Sequence, residues 1–398
     1  MNILIIGQYY QPVKGAGSLR TRRFAHFLTQ LGHKVTVLTG FPTYPLGTLD
    51  KKYRGKLWEH EKDDKIKILR VYEYPSPAAG TWKRLLNMTS FTFFAWWSAL
   101  LLPVYDAVIV TSPPFLLGLA GLVAAREKKC KFYFDVRDLW PDVTIELGLM
   151  KPGFSFNLLK KLENHFYKRA EKIFLATEKI RKRLIVRGIP ADKLVTFYNS
   201  ADTDVFKPLK ISRKDLGLPE KDFIVTYVGN HSRAYDLGNV LKTATLLKDK
   251  HVSFVFIGEG EVKEKLLAEI QKAKIKNVLL LPQKDSAEIA KFLAASDAGL
   301  ISLANTTLFQ ETVPAKTAEY LASGKPIIAT IGGEIKELIE KEKVGLICVP
   351  EDPKALAQTI LKLKKSKNTQ KTMGKRARAL ALSRFSNKSA LKKLKNLF

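Results

Sequence analysis

The sequence predicts an α/β protein built from two doubly wound domains with parallel sheets. Short β-branched runs alternate with helical patterns along the chain, which is the signature of βαβ units. The chain has 398 residues and a mass of 44.8 kDa, more than one hydrophobic core usually supports. A polar, proline-bearing stretch after Asn199, running through Pro208 and Pro219, separates two such series and reads as an interdomain linker.

In the first series the expected strands are Asn2–Ile6, Lys34–Thr39, Ile66–Tyr72, Ala107–Thr111, Lys131–Asp135, Ile173–Ala176 and Leu194–Phe197. The helix expected over Ser18–Leu31 places Phe24, Phe27, Leu28 and Leu31 on one face, and a second helix covers Phe154–Arg169. The second series runs Phe223–Val228, helix Leu237–Lys248, Val252–Ile257, helix Glu261–Ala273, Val278–Leu281 and helix Ser286–Ala295. It continues with Ala298–Ser302, helix Ala315–Ala322, Pro326–Thr330 and Val344–Val349. Domains are expected over residues 1–200 and 201–375, facing each other across a cleft. Helices over 376–398 are expected to pack back towards the first domain. Each domain would bind ligand at the carboxyl ends of its strands.

Composition narrows the function classes. Apolar residues make up 46% and charged residues 26% of the chain, which excludes disorder, collagen-like repeats and a disulfide scaffold. Cys130 and Cys348 stand alone, without ligand-spaced neighbours, so a reducing compartment is expected and a zinc site of the CxxC type is not. The formal charge of +29 calls for an anionic partner or surface. It is shared between the halves, and Lys160–Arg187 is a dense stretch of it, with ten Lys and Arg against three Glu. No nucleic-acid-binding pattern accompanies it. Met1–Gly7 lacks the charged start and the cleavage site of a signal peptide, which implies a cytoplasmic protein. The uncharged segment Leu85–Tyr105, rich in Phe and Trp and preceded by Lys83 and Arg84, is expected to form a buried or interfacial helix rather than a membrane span.

Two glycine-bearing turns follow expected strands: the Gly7–Gly17 loop, with Gly15 and Gly17 just before a helix, and Gly258-Glu259-Gly260. Glycines there let backbone approach a phosphate, although a tight βα turn explains them equally well. A stronger pattern is Glu311 in a loop and Glu319 on the next helix, with Pro314-Ala315-Lys316 at the helix start. It can offer one carboxylate to a sugar and another to a ribose, while Lys316 and the helix-start amides meet a diphosphate. No Asp-x-Asp stands where a catalytic metal would be held, and no Ser-His-Asp or Cys-His set is apparent.

Over essentially its whole length the chain resembles the retaining family-4 glycosyltransferases (group 1) of the GT-B fold. The resemblance rests on Tyr9-Tyr10-Gln11-Pro12 with Gly15–Gly17, Tyr105–Ile109 leading to Thr111–Pro114, and Tyr198–Pro208. It continues through Tyr227–Asn230, Phe256–Gly260, Ala295–Ala298, the Glu311/Glu319 pair and Ala322–Pro326. Asp135–Asp142 and Val313–Lys316 look most like the fucosamine-transferase-like branch that builds bacterial surface polysaccharides.

The resemblance implies transfer of a hexosyl or N-acetylhexosaminyl group from a nucleotide sugar, expected to be UDP-linked, to a lipid-linked or saccharide acceptor. The acceptor it points to is a polyprenyl-diphosphate-linked sugar. No cofactor or metal is implied, nor any nucleic-acid partner. The setting is an anionic membrane surface, with the enzyme peripheral on the inner face of the plasma membrane. Glu319 would hold the ribose hydroxyls, Glu311 would contact the donor sugar near its reacting side, and Gly258 and Glu259 would line the base pocket. Lys316 would pair with the diphosphate, and the Gly15–Gly17 loop would approach the phosphates or the acceptor. Glu311 and Asp138 are the catalytic candidates; Asp138 equally fits a helix cap. Many relatives carry a Lys after the Gly229-Asn230 turn. Here Arg233 is the candidate cation, with Asn230 beside it, and His231 is either a site residue or a turn residue. Two other classes stay open: a nucleotide-sugar epimerase of the same fold, and a non-catalytic polyanion-binding protein.

Overall fold

The computed structural model describes residues 1–13, 15–43, 47–76, 81–125, 130–146 and 148–398. The chain divides into two compact units, one of Met1–Phe197 with Lys393–Phe398 and one of Tyr198–Lys392. Residues 376–392 therefore lie in the second unit.

The first unit runs β1 (Asn2–Ile6), α1 (Ala16–Gln30), β2 (Lys34–Gly40), β3 (Trp58–Asp63), β4 (Ile66–Val71), α2 (Thr81–Leu101), β5 (Ala107–Ser112) and α3 (Leu117–Ala124). It continues with β6 (Lys131–Val136), α4 (Asp142–Glu146), α5 (Phe154–Arg169), β7 (Lys172–Leu175), α6 (Glu178–Val186) and β8 (Leu194–Thr196). The sheet order is β3-β4-β2-β1-β5-β6-β7-β8. The chain reverses its direction of growth between β1 and β5, which makes their carboxyl ends the switch point. The strands pair in parallel, as the alternating pattern requires, apart from β3, which is antiparallel to β4. The sequence reading missed β3. Its residues, Trp-Glu-His-Glu-Lys-Asp, carry no β-branched side chain, because this strand guards an open edge with charge. Glu61 bonds Arg70 at 2.6 Å and Tyr53 at 2.7 Å.

The α2 helix starts before Leu85 and stops at Leu101, ahead of Pro103. Asn87, Phe91, Ala95 and Ala99, four residues apart, form its buried stripe, while Leu85, Phe93, Trp96, Trp97 and Leu101 are exposed. It is thus half core and half surface. Among the described residues no helix is long and apolar enough to cross a membrane.

The second unit runs β9 (Phe223–Val228), α7 (Leu237–Leu246), β10 (Val252–Ile257), α8 (Lys263–Lys272), β11 (Val278–Leu281), α9 (Ser286–Ala295), β12 (Ala298–Ile301) and α10 (Thr307–Gln310). Then come α11 (Lys316–Ala322), β13 (Ile327–Ala329), α12 (Gly333–Glu342), β14 (Gly345–Ile347), α13 (Pro353–Lys364), α14 (Lys367–Leu380) and α15 (Asn387–Lys395). Its sheet is β11-β10-β9-β12-β13-β14, all parallel, with the switch point between β9 and β12.

The expected linker after Asn199 is part of this unit. Phe206 and Leu218 join its core, and Arg213 bonds Asp297, Ala295 O and Asp222 O at 2.7, 3.0 and 2.8 Å. Prolines and polar residues read as a tether because one cationic side chain, rather than a regular element, fastens the segment.

Candidate active site

Asn230, Gly258, Glu259 and Lys316 gather at the switch point of the second unit. Beyond β9 the chain turns through Gly229-Asn230-His231, and beyond β10 through Gly258-Glu259-Gly260. These turns are stitched together: Gly229 N donates to Ile257 O at 2.9 Å, His231 N to Glu259 O at 2.8 Å and Val262 N to His231 O at 3.0 Å. They touch so closely that a Cβ on Gly258 would stand 1.9 Å from Gly229 O. Only glycine fits there, whatever ligand follows. The Tyr227 hydroxyl donates to Asn230 O at 2.6 Å and fixes the first turn.

Lys316 reaches this turn from α11. A Cβ on Gly229 would stand 3.0 Å from its Nζ, so the glycine leaves the ammonium room. The Nζ is buried and has no hydrogen-bond partner among the described residues. It lies 3.6 Å from the Tyr227 ring centroid and 4.3 Å from that of Tyr235. The two π-faces offset part of the cost of burying the cation. Burial still holds its pKa well below the ordinary lysine value, against an opposing pull from Glu319. Because α11 spans only Lys316–Ala322, the helix-start amides contribute little beside the lysine charge.

Glu259, on the neighbouring turn, is held below the usual carboxylate range by its 2.6 Å bond from Lys263. His231 is fully buried between Tyr227 and Phe256. Glu319 is half-buried on the exposed side of α11, and Glu311 is half-buried just past α10. Arg233 is not brought into this group. It opens a short turn with its side chain 88% exposed, 4.0 Å from Glu261.

In the first unit Gly15 precedes α1, and Gly17 lies in its first turn. Lys14 of the same loop lies outside the described residues. A Cβ on Gly17 would stand 2.6 Å from Arg137 Nη1, so this glycine makes room for a side chain as well as for any ligand. Asp138 is half-buried four positions ahead of α4, which removes the reading of it as that helix's cap. Burial raises its carboxyl above the usual range, against the lowering effect of Arg137.

Sequence reasoning passed over the polar groups behind these loops. Arg20 makes a fork of bonds to Asp135 at 2.6 to 3.0 Å and donates to Phe197 O at 2.8 Å, all buried. Glu73 is sealed under Gln8 and Thr43. A charged residue at the end of an otherwise apolar strand, as Asp135 is, was the available signal.

Comparison with known proteins agrees with the two-unit fold. Residues 15–200 match the glycosyl transferase 4-like domain, and residues 210–380 match glycosyl transferases group 1. The chain is 24% identical over 375 residues to Escherichia coli (strain K12) WcaI, named for glycosyl transfer in colanic acid biosynthesis, covering 90% of this chain and 91% of that one. Sucrose-phosphate synthase from Thermosynechococcus elongatus superposes with a TM-score of 0.75 at 16% identity, covering 100% of this chain and 98% of that one. Anabaena HepE in complex with UDP-glucose gives 0.72 at 17% identity, covering 100% and 99%. Two Rossmann-like units, each with its own switch point and matched by one of the two family models, place the chain among the GT-B glycosyltransferases, with a 4-like first domain and a group 1 second domain.

Proposed function

We propose that the protein is a retaining glycosyltransferase that moves a hexosyl or N-acetylhexosaminyl group from a UDP-linked donor to a lipid-linked or saccharide acceptor in surface-polysaccharide synthesis. The observation that carries this is the buried, unpartnered ammonium of Lys316 beside the Gly229 turn. A protein holds a buried cation without a hydrogen-bond partner at a strand-end crevice at a cost, and a diphosphate removes that cost. The similarity to WcaI supports the polysaccharide setting, and the UDP-glucose held by HepE supports the nucleotide.

In this reading Glu319 accepts from the ribose hydroxyls, and Gly258 and Glu259 line the base. Glu311 meets the donor sugar near its reacting carbon. As the bond to the diphosphate breaks, negative charge grows on the leaving oxygen, and Lys316 stabilises it without a metal. Arg233, exposed and loosely held, swings in to the same phosphates. The acceptor hydroxyl attacks from the side the diphosphate leaves, giving its proton to the departing phosphate oxygen. The first unit supplies the acceptor side, with Gly15, Gly17 and Asp138. The exposed aromatic face of α2, next to Lys83 and Arg84, sets the enzyme peripherally on the anionic inner face of the plasma membrane.

The test is nucleotide release from UDP-, GDP- and dTDP-sugars, with and without a polyprenyl-diphosphate-linked acceptor, in the presence of EDTA. Acceptor-dependent release of UDP with EDTA present is expected. Release of nothing from any donor overturns the reading, and strict dependence on a divalent ion overturns its metal-free part.

A further inference from the structure

His231 is a second buried group at the same turn, and it is not accounted for by the fold. Its side chain is fully buried, yet neither Nδ1 nor Nε2 has a hydrogen-bond partner among the described residues. Buried polar atoms are nearly always paired, so two orphan nitrogens on one ring mark a place where a partner arrives. Nε2 would lie 3.2 Å from a Cβ on Gly258, and Lys316, whose Nζ likewise has no hydrogen-bond partner among the described residues, lines the adjoining turn. The groups facing the ring are Lys316 from α11, Lys263 from α8 and Glu259 from the turn between β10 and α8. Tyr227 and Phe256 flank it from their strands. Two cations outweigh one carboxylate that is already paired with Lys263. Burial first, then Lys263 and Lys316, push the free imidazole down to about 4, so it is neutral while the site is empty of anion.

We propose that a nucleoside-diphosphate sugar entering at Gly229 and Gly258 causes His231 to take a proton from solvent and donate a hydrogen bond to a phosphate oxygen. One N–H bond forms on the ring as one breaks in the buffer acid; no other bond changes. The inference rests on the donor reading of the second unit. Its consequence is that donor binding is linked to proton uptake, and affinity rises as pH falls.

Calorimetry with UDP-glucose in buffers of different ionisation enthalpy tests this, because that diphosphate has no ionisable proton near neutrality. At about pH 5.5 wild-type protein should take up nearly one proton per site. If the ring regains its ordinary value, affinity should be about tenfold tighter than at about pH 7.5. His231→Asn should still bind, with uptake abolished and the affinity flat across that range. In the wild-type protein the His231 ring resonance should move to its protonated position when UDP-glucose is added at about pH 5.5; this reading does not depend on the variant folding. Binding whose heat is independent of buffer overturns the inference and leaves the donor reading intact. Uptake that persists in His231→Asn places the proton on another group and also overturns it. Failure of both UDP and UDP-glucose to bind overturns the donor reading and this inference together.

Discussion

Glu73 illustrates how a single carboxyl can tie an element in place. It lies just past β4, where Thr43 donates to one oxygen at 2.5 Å and Gln8 Nε2 to the other at 3.1 Å. Gln8 also donates to Asn87 Oδ1 at 2.7 Å, and Asn87 donates to Tyr74 O at 2.7 Å, so the cluster pins α2 to the ends of the sheet. Burial lifts the Glu73 carboxyl from 4.5 to about 7, outweighing those bonds. Between these values the folded state holds a proton that the unfolded chain releases. Stability from this group is therefore full below the lower value and lost as pH rises through the upper one, by about 3 kcal/mol. Glu73→Gln should be more stable than wild type at about pH 8 and lose that advantage at about pH 4. Denaturant melts at both values check it, and an advantage that does not vary with pH counts against a buried, titrating Glu73. Lys316→Met separates charge from packing. Removing a costly buried cation should leave stability unchanged or raised. Sugar transfer should fall about 100-fold or more, because a preorganised charge on the leaving group is lost. Melting curves and turnover on the same preparation decide the matter; equal losses in both would reduce Lys316 to a core residue.

At the scale of elements, the parallel strands were legible because both of their faces are buried and their apolar runs are continuous. The edge strand β3 was not, since the charges that protect an edge erase the alternating pattern. The segment after Asn199 was misread for a related reason: its order comes from Arg213 reaching Asp297 and three carbonyls, which local composition does not reveal. In the candidate site, Lys316 and the two glycine turns stood out as motifs. The burial of His231 and the exposure of Arg233 did not, because they depend on how the β9 and β10 turns close on each other. That closure makes a prediction. Gly258→Ala would force its Cβ to within 1.9 Å of Gly229 O, so the two turns must part. The expected cost is about 1–3 kcal/mol of stability, with a larger loss of nucleotide affinity, since the two turns carry the proposed phosphate and base contacts. UDP titration beside a denaturant melt measures both, and a variant that binds UDP normally would show that this close approach is not needed.

At the scale of the whole molecule, the charge of +29 is unevenly laid out. From residue 362 to the last residue there are thirteen Lys and Arg and no Asp or Glu, a run that includes α14 and α15. The first unit adds Lys83 and Arg84 at the start of α2, whose outer face exposes Phe93, Trp96, Trp97 and Leu101. Each basic residue near an anionic bilayer contributes on the order of 1 kcal/mol. The attraction fades within about 8 Å at physiological salt. Aromatic side chains at the headgroup level add apolar area that salt does not screen. The two terms predict a distinct binding pattern. Flotation should show the protein on vesicles containing phosphatidylglycerol but not on phosphatidylcholine alone, with release by raised salt or by carbonate. Replacing Trp96 and Trp97 with serine should weaken the attachment while leaving its salt dependence in place, because the charges are untouched. Neutralising Lys83 and Arg84 should weaken the attachment too, and should lessen the salt dependence, because two of the charges are lost. Failure to bind anionic vesicles at low salt would assign the aromatic face of α2 to some other contact, and retention through carbonate would mean that the attachment is not peripheral.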